Sequence, residues 1–207
     1  MPGKIAVAHH SIADWDFQHG DTYRSLSPIQ YVSAPTSLRF LKAGGAWSNA
    51  VLCRIPATQC LPQGEVRNWT FTGYSTKYPA VFRNQAALGS ADYLNCYFVS
   101  ITTAAAYLAR YIAGVPSQRD TTPCLGYYLQ WVHYRIFWYN GKTPGDVPAL
   151  CVDVYLEIDG QWIKQGSTMY DTDNSWKDSA VNRSGFLSIA GGNLANFWDD
   201  TEIWGPV

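Results

Sequence analysis

Val152-Asp153-Val154-Tyr155-Leu156-Glu157-Ile158-Asp159-Gly160-Gln161-Trp162-Ile163-Lys164 is the stretch that decides the fold class. Apolar and polar residues alternate along it with a period of two, the repeat of a strand that has one buried and one wet face. The alternation breaks at Asp159-Gly160, a pair whose glycine takes the positive φ that a type I′ turn demands. Pairing outward from this turn sets Glu157 opposite Trp162 and Tyr155 opposite Lys164 on one face, with Val154, Leu156 and Ile163 on the other. The stretch therefore predicts a half-buried β-hairpin.

Immediately upstream, residues 131–139 form a second informative strand. Val132, Tyr134, Ile136 and Trp138 point one way and read as core, whereas Trp131, His133, Arg135, Phe137 and Tyr139 point the other. A sandwich interior rarely accepts a guanidinium and an imidazole side by side. This second row, extended by Trp162, is thus the candidate surface for a glycan or a protein partner. The competing explanation is that the edge of a second sheet, or a long loop over residues 116–123, covers it.

Working outward, short alternating runs separated by turn formers recur from Ser33 onward. Candidate strands fall at 37–41, 50–55, 66–74, 80–83, 93–102, 107–113, 128–139, 150–158, 161–165, 185–189 and 197–204. Residues 104–114 also fit one short helix, since Leu108, Tyr111 and Ile112 have helical spacing. No repeat or linker interrupts the series. The expectation is an all-β, two-sheet antiparallel β-sandwich, with residues 1–32 an N-terminal segment whose first strand packs on a sandwich of residues 33–207.

Composition narrows the function classes. Charged residues make up only 15% of the 207, below the roughly 25% of an ordinary domain, and 15 basic side chains nearly cancel 16 acidic ones. Such a chain has no clustered cations to displace counterions from phosphates, which argues against nucleic acid as a partner. The 9 Trp, 14 Tyr and 8 Phe exceed what packing needs, so some rings are expected at the surface. Neutral, aromatic surfaces suit sugars and other protein subunits. The most apolar window, residues 97–115, is interrupted by Arg110 and reads as buried strand rather than membrane span. Met1 to His10 has no apolar run of signal-peptide length. Five scattered cysteines form no C-x-x-C pair; Cys53 and Cys60 could bridge in an oxidising setting, but small buried thiols are the simpler reading.

Near the C-terminus, Gly185-Phe-Leu-Ser-Ile-Ala-Gly191 and Asn196-Phe-Trp-Asp-Asp-Thr-Glu-Ile-Trp204 resemble the closing strands of concanavalin-like (laminin-G-like) jelly rolls. The hairpin, the strand at 131–139 and Pro35-Thr-Ser-Leu-Arg-Phe40 extend that resemblance over most of 33–204. It implies a jelly roll of the kind found in carbohydrate-binding modules, lectins, glycosidases, lyases, and phage or viral particle proteins. It also implies a structural calcium site, with Asp14, Asp16, Asp199 and Asp200 at the acidic positions. Phe17-Gln18 stands where such modules often have Phe-Glu, so one charged ligand is lost; strand-end aspartates capping turns are the alternative.

Catalytic patterns are sparse. Asp153 and Glu157 share a face but lie about 13 Å apart at ~3.3 Å per residue, beyond the span of a glycosidase pair. The Glu-x-Asp-x-x-Glu run of the family's hydrolases does not occur, and His133 is the one histidine on a candidate strand. Asn68-Trp-Thr70 and Asn182-Arg-Ser184 fit glycosylation sequons. The expectation is a non-catalytic structural or accessory protein on a virus particle surface, self-associating and packed against other subunits, with glycan binding as an additional role. The alternatives are a lectin-like module, which would be extracellular, and a glycoside hydrolase or polysaccharide lyase.

Overall fold

The computed structural model describes residues 2–8, 15–18, 24–27, 32, 37–40, 47–53, 63–72, 76–85, 95–127, 129–190 and 196–206. Among them are fifteen strands, numbered in chain order, and no helix. One sheet has eight strands, in the order β13 (Gln161–Asp171), β12 (Pro148–Ile158), β11 (Val132–Lys142), β6 (Gly64–Thr72), β15 (Asn196–Pro206), β4 (Ser37–Phe40) and β3 (Arg24–Ser27), with β1 (Pro2–Ala8) also on β15. The other has seven: β10 (Val115–Pro123), β9 (Ala105–Ile112), β8 (Cys96–Ile101), β7 (Lys77–Asn84), β14 (Arg183–Ala190), β5 (Trp47–Cys53) and β2 (Trp15–Gln18). Every pairing is antiparallel.

The deciding hairpin forms in the expected register, with Glu157 opposite Trp162, Leu156 opposite Ile163 and Tyr155 opposite Lys164. Asp159 (φ 50) and Gly160 (φ 75) both take the left-handed conformation of a type I′ turn. Val154 and Leu156 are buried, but Ile163 is 46% exposed because β13 is an edge strand. On β11, Val132, Tyr134, Ile136 and Trp138 are at most 4% exposed. They meet Phe82, Tyr97, Val99, Leu108 and Phe186 of the facing sheet. Phe82 stacks on Trp138 at 4.7 Å between ring centroids. That layer of rings is the core's centre.

One expectation is corrected. Residues 116–123, read as a loop, belong to β10, which pairs with β9 through a two-residue turn at Ala113 (φ 48) and Gly114 (φ 80). Pro116 and Pro123 disguise it, yet prolines are tolerated on an edge strand, where one side needs no ladder bond. Within 104–114 the expected strand forms, as β9, and the helical alternative does not: Ala106 and Leu108 face the core at a period of two. The first 32 residues also hold three strands that their composition does not announce. β1 and β3 extend the eight-stranded sheet and β2 the seven-stranded one.

Candidate functional site

The row proposed from sequence is assembled on the outer face of the eight-stranded sheet. Register places Trp69 and Glu157 beside His133, Arg67 and Tyr155 beside Arg135, and Glu65 beside Phe137. Trp162 follows Glu157 on β13, while Glu202 and Trp204 flank Arg67 and Glu65 from β15. His133 stacks on Trp69 at 4.5 Å, nearly parallel, and tilts against Trp162 at 4.7 Å. Phe137 stacks on Tyr139 at 5.2 Å. Trp131, just ahead of β11, lies half-buried against Phe71.

The charges of this face are tied to one another. Glu65 is fully buried; Arg135 donates to its Oε2 from Nε at 2.7 Å, and Arg67 to its Oε1 from Nε at 2.7 Å. Arg67 also lies 4.0 Å over the Trp204 ring, and Arg135 5.0 Å over Tyr155. Lys164 pairs with Asp153 at 2.7 Å. His133 Nδ1 meets Glu157 Oε2 at 2.5 Å. Burial lowers the imidazole pKa more than the Glu157 contact raises it, so a neutral ring donates Nδ1–H to the carboxylate at pH 7.

The outer face of the seven-stranded sheet holds a different feature, which the sequence reading missed. An open groove of about 420 Å³ runs over β7 to β10, floored by Tyr78, Phe98, Tyr107 and Tyr111 and edged by Ser100 and Gln118. Phe98 stacks on Tyr111 at 4.9 Å and lies 6.1 Å from Tyr78. Burial, with Tyr111 nearby, raises the Tyr78 phenol pKa, so it remains a neutral donor. No charged side chain lines this groove. The signal was present: Tyr107, Ala109 and Tyr111 recur at a period of two, as do Phe98 and Ser100. Strand alternation alone does not join the two rows; the β8–β9 register does, by setting Phe98 opposite Ala109 and Ser100 opposite Tyr107.

The acidic positions separate between layers. Asp16 sits on β2 of the seven-stranded sheet, Asp199 and Asp200 on β15 of the other. Asp14 and the side chain of Asp16 lie outside the described residues, as do Cys60 and the side chain of Cys53. Asp199 is 1% exposed and caps backbone, accepting from Val32 N at 2.7 Å and Asp200 N at 2.9 Å. Asp200 (φ 44) lies within the irregular register between Asp199 and Glu202. Among the described residues no three His, Cys, Asp or Glu side chains are grouped to hold a metal ion. Cys96, Cys124 and Cys151 are buried and outside any disulfide. Both sequons are closed to modification in the folded chain, since Asn68 and Asn182 are 0% and 1% exposed. Among the described residues no helix is long and apolar enough to cross a membrane.

No protein-family model matches the sequence, and no curated protein is similar to it in sequence. Solved structures do match in fold. A marine PL-14 alginate lyase from Aplysia kurodai aligns at a TM-score of 0.59 and 12% identity, over 92% of this chain and 90% of that one. The VIP36 exoplasmic/lumenal domain, in a Ca2+/Man3GlcNAc-bound form, aligns at 0.53 and 10%, over 97% and 88%. An engineered GH43 glycoside hydrolase with endo-xylanase and exo-arabinofuranosidase activity aligns at 0.55 and 14%, over 96% of this chain but only 39% of its own. The chain thus adopts the concanavalin-like jelly-roll sandwich that its closing strands resemble. That fold serves both glycan-binding proteins and enzymes, so the chemistry of the surfaces must distinguish them.

Proposed function

We propose that this jelly roll binds an uncharged oligosaccharide in the groove over β7 to β10 and catalyses no reaction on it. The observation that carries the reading is the lining: rings of Tyr78, Phe98, Tyr107 and Tyr111 beside the neutral hydrogen-bonding groups of Ser100 and Gln118. Flat rings meet the C–H faces of pyranoses, and the hydroxyls and amide meet their edges. A charge-free lining favours neutral sugars over polyuronates, whose carboxylates would find no cation there. The lining also offers no carboxylate pair of the kind glycosidic hydrolysis uses. The fold neighbours that bind or process glycans are consistent with this class of ligand. The test is a glycan array with wild type and Tyr107→Ala. Saturable binding to neutral glycans, weakened at least tenfold (about 1.4 kcal/mol) in the variant, is expected. Indifference of binding to the substitution, or release of reducing ends or unsaturated sugars by the wild type, would overturn the proposal.

The second reading is assembly, on a virus particle or as a homo-oligomer, through the face of His133, Arg135 and Trp162. It is favoured by the mutual pairing of that face's charges on Glu65, Asp153 and Glu157, which lowers the cost of covering it with another subunit. The low overall charge and abundant rings support the same setting. Light scattering that shows a discrete oligomer, dissociated by Trp131→Ala without unfolding, is the expected result. A monomer at high concentration would refute it.

A further inference from the structure

At the end of the sandwich, Asn140 and Lys142 of β11 face Asn174, Lys177 and Asp178 of the loop between β13 and β14 across a pocket of about 370 Å³. It shares no lining residue with the tyrosine groove. Arg83 lies behind it, fully buried and held at φ 48 on β7. The guanidinium donates from Nη1 to Asn174 Oδ1 at 2.6 Å and to the Ser175 carbonyl at 3.1 Å, and from Nη2 to Asn140 Oδ1 at 2.7 Å.

These bonds fix which way both amides point. A guanidinium has donors only, so each asparagine must give it oxygen and turn its NH2 group away. Both amides line the pocket, and among the described residues neither NH2 group has a hydrogen-bond acceptor. Backbone strain is spent on the same arrangement: Asn174 (φ 43) and Trp176 (φ 58) are left-handed without being glycine. Burial lowers the Arg83 pKa to about 10, which leaves it protonated at neutral pH with its charge directly behind the two amides.

Two ammonium groups stand at the rim. Lys142 contacts Asp146 at 2.7 Å and Lys177 approaches Asp178 at 3.7 Å, but all four side chains are more than half exposed. Exposed pairs of this kind are worth roughly 0–1 kcal/mol and yield readily to a ligand. We propose that the pocket formed by Asn140, Lys142, Asn174 and Lys177 binds a sulfate-like oxyanion, an acceptor-only group that two amide NH2 groups and two ammonium groups can surround. Its source is either the free inorganic ion or a sulfate ester on a sugar. The site stands independently of the neutral-glycan groove.

The test is titration of the full chain with sodium sulfate, against sodium chloride at matched ionic strength, followed by the side-chain NH2 resonances of Asn140 and Asn174. Saturable shifts with sulfate are expected, and they should disappear in a Lys142→Gln, Lys177→Gln double variant whose substitutions are exposed and spare the fold. Asn174→Asp, which turns a donor into an acceptor, should weaken sulfate at least tenfold. A sulfated galactose oligosaccharide binding tenfold tighter than inorganic sulfate would assign the source to a glycan; equal or weaker binding would assign it to the free ion. Unsaturable shifts, or the same shifts in the double lysine variant, would overturn the site.

Discussion

Glu65 shows what a single residue does on the outer face of the eight-stranded sheet. Its carboxylate has no exposure, yet two guanidiniums that are 22% and 24% exposed close over it. Removing the carboxylate strands two part-buried cations, and breaking a buried pair of this kind costs about 3 to 5 kcal/mol. Glu65→Ala is expected near the lower end of that range, because both arginines can turn toward water; urea midpoints measure it. Lys77 gives a residue-scale prediction with a pH signature. It is 4% exposed, and burial pulls its pKa from 10.5 to about 8, partly offset by Cys124. Between those values the unfolded chain holds a proton that the native chain has released, so this group makes stability rise with pH across the window. Cys124 acts oppositely: burial lifts its thiol from 9.0 to about 12, so the unfolded thiol ionises first and stability falls as pH rises above 9. The Lys77 contribution is therefore read as a difference. Lys77→Met should be more stable than wild type at pH 7, with the advantage shrinking by pH 10. An advantage that does not change with pH would exclude the titration as its cause.

At the scale of elements, the seam between β10 and β13 closes one side of the sandwich. Both are edge strands, and β10 side chains occupy the edge of β13: Asp120 accepts from Tyr170 N at 2.8 Å and Thr122 Oγ1 from Ser167 N at 2.7 Å. Arg119 adds a bond from Nε to Asp171 Oδ1 at 3.1 Å. This covers backbone groups that would otherwise invite pairing with another chain. Gly166 permits the approach: it takes φ 55, and a Cβ there would lie 2.2 Å from Thr122 Oγ1 and 2.6 Å from the Pro123 carbonyl. Gly166→Ala is expected to force the seam open, lowering stability by about 2 kcal/mol or more through strain and lost edge bonds. Faster amide exchange at Ser167 and Tyr170, with β11 unaffected, is the checking observation; unchanged exchange would contradict the seam's role. Elements like this were poorly legible in the sequence. The Asp159-Gly160 hairpin announced itself because strand alternation and turn chemistry agree. β10 did not, because Val115-Pro-Ser-Gln-Arg-Asp-Thr-Thr-Pro123 buries few apolar side chains and holds its place through polar bonds to a strand 40 to 50 residues away.

At the scale of the whole molecule, two sheets present two unlike outer faces. The aromatic and charged row on β11 was legible because one strand's alternation displays it, and the structure completes it with Trp69, Glu65 and Glu202 from strands that sequence proximity does not connect. The tyrosine groove was not legible, since it depends on the β8–β9–β10 register, which the alternation of a single strand does not reveal. The two faces differ chemically in the way their proposed partners require. One has its charges paired among themselves; the other shows solvent the half-buried rings of Tyr78, Tyr107 and Tyr111 over a buried Phe98, beside neutral hydrogen-bonding groups. The most direct test of the groove as a neutral-glycan site is amide chemical-shift mapping with the tightest-binding neutral oligosaccharide from the array. The account predicts saturable shifts at Phe98, Ser100, Tyr107 and Gln118, with His133 and Trp162 silent. Shifts centred on His133 and Trp162, or none on either face, would contradict it.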